Sequence, residues 1–349
     1  MMKNILVTGC AGFIGSNFVS HYLTEHPEGN IIGLDNLTYA GNLENLSGIP
    51  EDNKKRFVFI KGDICESGTV EEVFRDYQID GVVHFAAESH VDRSIEDPQV
   101  FLKTNILGTF LLLDAARRFW PRKTLDFRRF VQISTDEVYG SLGPAGYFTE
   151  TTPLDPHSPY SASKASADHL ASSYHDTYGL PVMITRCSNN YGPYQFPEKL
   201  IPLVIVRALQ HEFLPVYGDG KQIRDWLYVI DHCRAVDRVL GNGIPGEVYN
   251  IGGNNERENI ELVRTLVSVL RDETGDQGIN ESLIRHVADR PGHDRRYAID
   301  SSKIRRQLGW IPETGFQEGI HKTVRWYLEN RGWVERVVTG SYRTTRTAD

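Results

Sequence analysis

The sequence predicts an α/β fold built on a doubly wound parallel sheet, with a smaller lobe formed by the C-terminal half. Short apolar segments alternate with longer amphipathic segments up to Arg186, and beyond that residue the alternation becomes less regular. A glycine-rich turn joins the first apolar segment to the first amphipathic one. Strands that are separated by helices require crossover connections, and such connections place the strands parallel in one sheet.

The first domain is expected to span residues 1–186. Its predicted strands are short apolar segments at Asn4–Thr8, Ile31–Asp35, Phe57–Lys61, Gly81–Phe85, Phe130–Ser134 and Val182–Arg186. The helical spacing of apolar residues predicts helices at Ile14–Leu23, Val70–Tyr77, Val100–Phe119 and Ser161–Tyr178.

Residues 187–333 are expected to form mainly the second lobe, with helices near Leu200–Gln210 and Ile260–Glu273. The border is not a clean linker, because Glu247–Gly253 has the composition of a buried strand. We therefore expect the chain to return to the first sheet near residues 225–255. Residues 334–349 are polar and rich in Thr and Arg, so a flexible tail is expected there.

Composition and charge argue against several functional classes. Of the 349 residues, 40% are apolar and 24% are charged, as in ordinary globular proteins. A net charge of −8 argues against a nucleic-acid partner. The four cysteines form no C-x-x-C pair, so no metal site is expected. No apolar run reaches the ~18 residues of a membrane span, and no signal peptide is recognisable, so we expect a cytoplasmic protein without a membrane partner.

The first strand–helix turn has the glycine spacing of a dinucleotide site. Gly9, Gly12 and Gly15 lack side chains where a pyrophosphate could approach the free N–H groups of the first helix. Asp35 ends the second strand, 20 residues after Gly15, where its carboxylate can accept hydrogen bonds from a ribose diol. The same carboxylate repels a 2′-phosphate, and Asp35–Thr38 contains no arginine. These features predict a Rossmann-type domain that binds NAD rather than NADP.

The reactive side chains lie in two segments. Thr135 is followed by two carboxylates, Asp136 and Glu137, at the carboxyl end of the fifth strand, the edge where open α/β sheets bind ligands. Tyr160 lies 25 residues after Thr135, and Lys164 lies four residues further, so the phenol and the ammonium are neighbours on one helix. A neighbouring ammonium lowers the pKa of a phenol from ~10 toward neutrality, which makes a base for an alcohol proton.

The adjacent acids indicate a second chemical step. Oxidation of a sugar alcohol to a β-hydroxy ketone makes the neighbouring carbon proton acidic, and loss of water then needs a base for that proton and an acid for the leaving hydroxyl. Asp136 and Glu137 could fill both roles. In an arbitrary loop, two such acids would more simply cap a helix or face water.

Four longer motifs extend this interpretation, at Ala86–Ser94, Ser134–Gly140, Cys187–Tyr194 and Asp289–Tyr297. Through them the chain resembles the extended short-chain dehydrogenase/reductase family, and within it the nucleotide-sugar 4,6-dehydratases, over roughly Lys3 to Trp333. One departure is Cys10, where the family commonly has glycine. A side chain there could crowd the pyrophosphate, but we expect cofactor binding to persist because the three spaced glycines are present.

The resemblance implies a role for each reactive residue. Tyr160 removes the proton of the C4 hydroxyl of a nucleotide-diphosphate hexose while NAD accepts the C4 hydride, Lys164 holds the nicotinamide ribose, and Thr135 binds the C4 oxygen. Glu137 then removes the C5 proton as Asp136 protonates the departing C6 hydroxyl. The hydride returns to C6, so the cycle is redox-neutral and the cofactor is expected to stay bound.

The resemblance also implies contact residues and an assembly state. Those expected at the cofactor, besides Tyr160 and Lys164, are Gly9, Gly12, Phe13, Ile14, Gly15, Asp35, Asn36, Leu37, Thr38, Asp63, Ile64, Phe85, Ala86, Ala87, Ser89, Thr104 and Asn190. Those expected at the substrate, besides Thr135, are Ser89, Asn189, Lys199, Leu200, Pro215, Tyr217, Arg224, Asn259, Arg290, His293 and Tyr297. In the family, the helices corresponding to Val100–Phe119 and Ser161–Tyr178 pair across a dimer, so a homodimer is expected.

Three other functions share part of this pattern: a nucleotide-sugar 4-epimerase, a simple oxidoreductase and a non-catalytic NAD-sensing protein. An epimerase needs the glycines, Tyr160 and Lys164, but no adjacent acid pair for elimination. A silent sensor would be expected to lose the phenol–amine pair or the hydroxyl. Asp136 and Glu137 therefore favour the dehydratase, while the nucleobase of the substrate stays open among thymine, uracil and cytosine.

Overall fold

The computed structural model describes residues 2–289 and 293–346. Its strands, in chain order, are β1 Asn4–Thr8, β2 Asn30–Asp35, β3 Phe57–Lys61, β4 Gly81–His84, β5 Arg129–Thr135, β6 Val182–Cys187, β7 Asn189–Tyr191, β8 Leu214–Tyr217, β9 Ile223–Tyr228, β10 Val248–Ile251, β11 Glu256–Glu258 and β12 Ile284–Val287. Its α-helices are α1 Phe13–Glu25, α2 Ser67–Tyr77, α3 Val91–Glu96, α4 Pro98–Phe101, α5 Thr109–Phe119, α6 Pro159–Tyr178, α7 Leu200–Leu209, α8 Val229–Asn242, α9 Asn259–Thr274, α10 Ser302–Leu308, α11 Phe316–Glu329 and α12 Arg331–Thr339.

The predicted fold class is confirmed. Seven strands form the central sheet in the order β3-β2-β1-β4-β5-β6-β10, and every neighbouring pair is parallel. The strand order reverses between β1 and β4, which opens a crevice at the carboxyl ends of these strands. β10 pairs with β6, so the segment around Val248–Ile251 does return to the first sheet.

Helices cover both faces of this sheet. α1 and α8 contact each other on one face, and α2, α5 and α6 pack on the other. Because successive side chains of a strand point to opposite faces, Val7 of β1 packs in the cluster that contains Phe18 of α1, while Leu6 packs in the cluster that contains Leu112 of α5. Both faces are therefore closed to solvent, and only the strand ends are available to a ligand.

The helix expected at Val100–Phe119 has an irregular centre. α4 and α5 flank a π-helical segment, Leu102–Gly108. At Gly108 a Cβ atom would lie 2.5 Å from Ile64 Cδ1, so the widened turn passes close to the neighbouring loop. The wider turn also buries Asn105, whose amide donates to the Glu88 carbonyl at 3.0 Å and to Ser163 Oγ at 2.8 Å.

The second lobe contains two small sheets and its own core. The sheets have the strand orders β11-β9-β7 and β12-β8. Their strands are short: β7 has three residues and β8 has four. The core is formed by side chains of α7, α9 and α11 together with aromatic residues such as Tyr191 and Trp226.

The expectation of a flexible tail from residue 334 was wrong for its described part. α12 continues to Thr339, and a 3₁₀ turn follows at Ser341–Arg346. Trp333, Val337 and Tyr342 are buried in the second core. These apolar residues are spaced four and five apart, which places them on one side of a helix and its extension, although the segment is polar overall. Every helix of the described residues is too short or too polar to cross a bilayer.

Candidate active site

One cavity, at the carboxyl ends of the central strands, contains both the predicted cofactor residues and the predicted reactive residues. Among the predicted residues, it is lined by Gly9, Gly12, Phe13, Ile14, Gly15, Asp35, Asn36, Thr38, Asp63, Ile64, Phe85, Ala86, Ala87, Ser89, Thr104, Thr135, Asp136, Glu137, Tyr160, Lys164, Asn189, Asn190 and Lys199. A cofactor held by the predicted cofactor residues would therefore lie beside the predicted reactive residues.

The glycine turn has the geometry of an anion site. Gly9 has a φ of 69°, and a Cβ atom on it would lie 2.7 Å from the Ala86 nitrogen. A Cβ atom on Gly15 would lie 2.1 Å from the Gly9 carbonyl oxygen, so these two positions cannot take a side chain without moving the backbone. Gly12 is different: its Cβ atom would meet only the Gly9 oxygen, at 3.3 Å. Gly12 gives α1 no side-chain cap, and the first turn of α1 contains no acid, so the helix end suits a pyrophosphate.

Asp35 joins this turn to the ribose end of the cavity. Its Oδ2 accepts the Ala11 N–H at 2.9 Å, and its Oδ1 accepts the Leu37 N–H at 2.7 Å. A carboxylate oxygen has a second acceptor position, so Asp35 can still accept from a diol. Leu37 was expected at the cofactor, but its side chain is buried in the core and does not line the cavity. Asn36 donates to Asp63 Oδ2 at 3.1 Å and links the two loops expected around the adenine.

Cys10 does not crowd the turn. Its side chain is fully buried, and a Cβ atom on Gly33 of β2 would lie 2.6 Å from its Sγ, so the thiol points into the core rather than toward the first turn of α1. Burial raises the pKa of the thiol well above its usual value, with Asp35 adding to the effect. The thiol is therefore neutral and enclosed.

Helix α6 presents Tyr160 and Lys164 to the cavity. The helix begins at Pro159 after a capping box in which the Ser158 and Ser161 side chains each bond to the other residue's backbone N–H. Both functional side chains are buried, one turn apart on the same helix. The Lys164 ammonium donates to the Ile133 carbonyl of β5 at 2.6 Å.

The expected lowering of the Tyr160 pKa is not observed. Burial raises the pKa of this phenol well above its usual value, the Glu137 carboxylate raises it further, and a hydrogen bond with Thr135 partly opposes them. Burial lowers the pKa of Lys164. The Lys164 ammonium bonds to the Ile133 carbonyl, and the charge that acts most strongly on the Tyr160 pKa is the Glu137 carboxylate, which raises it.

Asp136 has the environment of a carboxylic acid that keeps its proton. Its side chain is buried, and burial raises its pKa well above the usual value, with Glu137 and Asp225 adding to the shift and Arg224 opposing it. The Thr135 hydroxyl donates to Asp136 Oδ1 at 3.4 Å, and the same hydroxyl accepts the Glu137 N–H at 3.2 Å. The turn after β5 thus holds a hydroxyl, a carboxyl group with a raised pKa and a second carboxyl group within three residues.

Unsatisfied polar atoms line the same cavity. Within the described residues, the buried side-chain atoms around it that have no hydrogen-bond partner include Ser134 Oγ, Asp136 Oδ2, Asn189 Oδ1, Asn190 Oδ1 and Gln195 Oε1. Buried polar groups in proteins are nearly always bonded. Their concentration on one cavity therefore fits a ligand that is rich in hydroxyl and amide groups.

Arg224 and Tyr297 lie beside the acid pair without lining the cavity. The Arg224 guanidinium donates to the Ile223 and Asp294 carbonyls at 2.8 and 2.9 Å and lies 4.2 Å from the centre of the Tyr297 ring. Burial raises the pKa of Tyr297, and the Glu137 carboxylate is the next cause. Both residues therefore interact electrostatically with the acid pair at the reactive end of the cavity.

The other predicted substrate residues lie further out. Tyr217 is exposed on β8, and its ring centre is 6.2 Å from that of His293, whose Nδ1 is 2.6 Å from Asp289 Oδ1. Pro215 lies on the same strand, while Leu200 and Asn259 begin α7 and α9. None of these five lines the cavity, and Arg290 lies outside the described residues.

Sequence reasoning missed several cavity residues, among them Tyr39, Glu88, Phe196 and Glu198. Glu88 and Glu198 are sequence neighbours of the predicted Ser89 and Lys199, and that adjacency was the available signal. Tyr39 and Phe196 lie in irregular loops, and no periodicity marks them. No group of three or more His, Cys, Asp or Glu side chains in residues 2–289 and 293–346 is arranged to hold a metal ion.

Comparison with known proteins agrees with this geometry. A family model described as GDP-mannose 4,6 dehydratase matches residues 6–323. The dTDP-glucose 4,6-dehydratase of Xanthomonas campestris pv. campestris is 55% identical, and the match covers 99% of both chains. The crystal structure of DesIV, the dTDP-glucose 4,6-dehydratase of Streptomyces venezuelae, has NAD and TYD bound. It has a TM-score of 0.87 at 49% identity and covers 96% of this chain and 99% of its own.

More distant similarity extends to epimerases. The UDP-glucose 4-epimerase of Thermotoga maritima has a TM-score of 0.83 at 30% identity, over 94% of this chain and 99% of its own. The family model covers most of the chain, and the Xanthomonas relative is far more similar than the epimerase. The chain therefore belongs to the GDP-mannose 4,6 dehydratase family.

Proposed function

We propose that the protein is an NAD-dependent hydro-lyase that converts dTDP-glucose into dTDP-4-keto-6-deoxyglucose, a step of deoxysugar biosynthesis. The observation that carries this proposal is the acid pair, with Asp136 buried and Glu137 half-buried, in the same cavity as Tyr160 and Lys164. Oxidation alone would need only the last two. A buried carboxyl group with a raised pKa is suited to protonating a leaving hydroxyl.

The glycine turn and Asp35 would hold the dinucleotide, with the pyrophosphate at the start of α1 and the ribose at the carboxylate. When bound, NAD supplies a hydride acceptor and later a hydride donor. The chain's own task in the first step is to take the C4 hydroxyl proton onto Tyr160 while Thr135 bonds to the C4 oxygen. This requires the Tyr160 pKa to fall, which we expect when Lys164 leaves the Ile133 carbonyl and turns toward the phenol.

The acid pair would perform the elimination. Glu137 takes the C5 proton, which the C4 ketone has made acidic, and Asp136 gives its proton to the C6 oxygen, so the C6–O bond breaks and water leaves. The proton on Glu137 is returned to C5 when hydride reaches C6. The hydride removed from C4 is the one delivered to C6, and the proton taken by Tyr160 replaces, through solvent, the one that Asp136 gave to the leaving water. Electrons and protons therefore balance over the cycle.

For the substrate, the residues around the outer lobe suggest an anionic nucleotide. The Arg224 guanidinium is held in place by two backbone carbonyls, and its positive charge could stabilise a diphosphate. Tyr217 offers an exposed ring to a base. The similarity to the dTDP-glucose 4,6-dehydratase of Streptomyces venezuelae favours thymine as that base. The four cysteines are free thiols, which suits the reducing cytoplasm where we place the reaction.

We also propose a homodimer. Four large apolar side chains are exposed along the continuous helical segment from α4 to α5: Val100, Leu102, Leu107 and Phe110. Clustered apolar exposure of this kind marks a protein interface more often than a free surface. The segment also includes Thr104, which lines the cavity, so such an interface would adjoin the cofactor end of the site.

The test is an incubation of the purified protein with dTDP-glucose in heavy water, followed by NMR of the product. We expect a 4-keto-6-deoxy sugar with deuterium at C5, because the proton that Glu137 returns exchanges with solvent. Glu137→Gln should stop before water loss while still binding NAD. A galactose product without label at C5 would contradict the proposal and indicate a 4-epimerase.

A further inference from the structure

The C-terminal helix contacts the loop that follows β2. The Trp333 indole N–H of α12 donates to Asn45 Oδ1 at 2.9 Å, and both side chains are buried. One turn further along the helix, the Arg336 guanidinium forms two hydrogen bonds with the Glu44 carboxylate, at 2.7 and 2.8 Å. These contacts join residues almost 300 positions apart, at 333 and 45 and at 336 and 44.

A third contact reaches the part of this loop that lines the cavity. The Tyr342 hydroxyl donates to the Tyr39 carbonyl, and Tyr342 is itself buried. Tyr39 lines the cavity, and the guanidinium of Arg93 lies 3.7 Å from the centre of its ring. The C-terminal segment is thus attached to the loop at its cavity end as well as at its far end.

From Asn45 the contact continues into the glycine turn. The Asn45 amide donates to the Ala11 carbonyl at 2.8 Å, and the Ala11 N–H donates to Asp35 Oδ2 at 2.9 Å. Trp333, Asn45, Ala11 and Asp35 therefore form an unbroken line of three hydrogen bonds. It begins in the last α-helix of the chain and ends on the carboxylate expected to bind the ribose.

We propose that α12 is a brace that positions the glycine turn and Asp35, and that its Trp333–Asn45 bond slows the release of the dinucleotide. This inference rests on the proposed cofactor of the site. Ala11 lies between Gly9 and Gly12, so a shift of its carbonyl moves the backbone that would contact the pyrophosphate. Trp333 and Asn45 do not line the cavity, so both act as positioning residues.

Hydrogen bonding, rather than packing alone, distinguishes Trp333 from its neighbour. Trp326 and Trp333 belong to one aromatic group, with ring centres 5.1 Å apart, and both rings also contact Tyr194. Replacing either tryptophan with phenylalanine removes part of that packing. Only Trp333→Phe also removes the donor to Asn45 and leaves a buried amide oxygen without its partner.

The experiment compares the wild type, Trp333→Phe and the matched control Trp326→Phe, each as the full chain loaded with NAD. The rate of NAD release during dialysis is measured by assaying the nucleotide that remains bound, and the melting temperature is recorded without added NAD. We expect Trp333→Phe to release NAD about tenfold faster than Trp326→Phe, the factor for one lost buried hydrogen bond. With saturating NAD its kcat should stay within about twofold of the wild type, because the reacting atoms are untouched.

Asn45→Asp gives a second measurement if Trp333→Phe does not fold. It keeps an acceptor for Trp333 but replaces the donor to Ala11 with a carboxylate oxygen, so it should also release NAD faster. Equal release rates for Trp333→Phe and Trp326→Phe, or for Asn45→Asp and the wild type, would overturn the brace while leaving the proposed function intact. A wild-type protein that neither retains nor binds NAD would overturn the proposed function itself.

Discussion

At the scale of the single residue, the function proposed for Asp136 is expected to lower the stability of the fold. Burial raises the pKa of its carboxyl group, and Glu137 and Asp225 raise it further. Its Oδ2 atom is buried without a hydrogen-bond partner among the described residues. An unfolded chain would hold this proton only below the ordinary aspartate pKa of about 3.9, whereas the folded chain holds it to higher pH. The side chain that suits the proposed acid step is therefore expected to reduce the stability of the fold.

We predict that Asp136→Asn stabilises the protein while slowing dehydration about a hundredfold, the lower end for loss of a general acid. Between the unfolded and folded pKa values, the folded state binds more protons than the unfolded state, so the free energy of unfolding of the wild type falls as pH rises, by about 1.4 kcal/mol per pH unit. Asparagine does not titrate. The stability advantage of the variant should consequently be larger at pH 7 than at pH 5, as measured by urea unfolding.

Asp219→Asn is the control for this comparison. Arg295 lowers the pKa of the exposed Asp219 carboxyl to about 2, so this group is ionised in both states at pH 5 and at pH 7. Its replacement should change stability equally at the two pH values. A pH-independent difference for Asp136→Asn would show that the buried carboxyl does not retain its proton.

At the scale of the single element, the glycines of the turn meet two different requirements. Gly15 allows close backbone packing, and Gly12 leaves space for the pyrophosphate. Gly15→Ala would place a Cβ atom 2.1 Å from the Gly9 carbonyl oxygen, and we predict a loss of ~1–3 kcal/mol in stability from the overpacked turn. Gly12→Ala meets only one atom, at 3.3 Å, so the fold should persist while the methyl group occupies space expected for the pyrophosphate. Gly15→Ala should therefore lower the melting temperature, whereas Gly12→Ala should lower the amount of bound NAD.

Gly68→Ala in α2 is the matched control, because a Cβ atom there meets nothing within 4 Å. This substitution should leave both the melting temperature and the NAD content nearly unchanged. If Gly12→Ala kept full NAD content, the pyrophosphate would have to bind elsewhere than at the start of α1.

The elements that the sequence predicted well are those fixed by local patterns. Phe57–Lys61 and Asn4–Thr8 match their predicted bounds, because each is an apolar run between turn residues. The start of α6 was also predictable, since Ser158 and Pro159 give a local capping signal. The strand β7 has three residues, and α12 follows Asn330 directly after α11, so neither left a pattern that could be separated from its surroundings.

At the scale of the whole molecule, the sequence predicted that the cofactor and reactive residues lie at one sheet edge. It did not predict how the second lobe packs. The approach of Arg224 to Asp136 and of Tyr297 to Glu137 depends on how the lobe packs against the first domain. The contact between Trp333 and Asn45 spans the chain in the same way. Such contacts follow from tertiary packing, which no local periodicity encodes. The Tyr160 pKa was mispredicted for a related reason, since the partner of the Lys164 ammonium is a carbonyl of another element.

The proposed dimer gives the last prediction at this scale. Leu107, in the π-helical segment, and Phe110, at the start of α5, are both exposed. If a second copy covers them, Leu107→Asp would bury a charge without a partner and weaken association by about 3 kcal/mol, or roughly a hundredfold in Kd. Sedimentation equilibrium should therefore give twice 39.6 kDa for the wild type and a dominant single-chain mass for the variant at micromolar concentration.

Ile311→Asp, at an exposed apolar residue far along the chain, should leave the dimer unchanged. A wild type that sediments as a single chain, or a Leu107→Asp variant that stays dimeric, would show that this surface is not the interface.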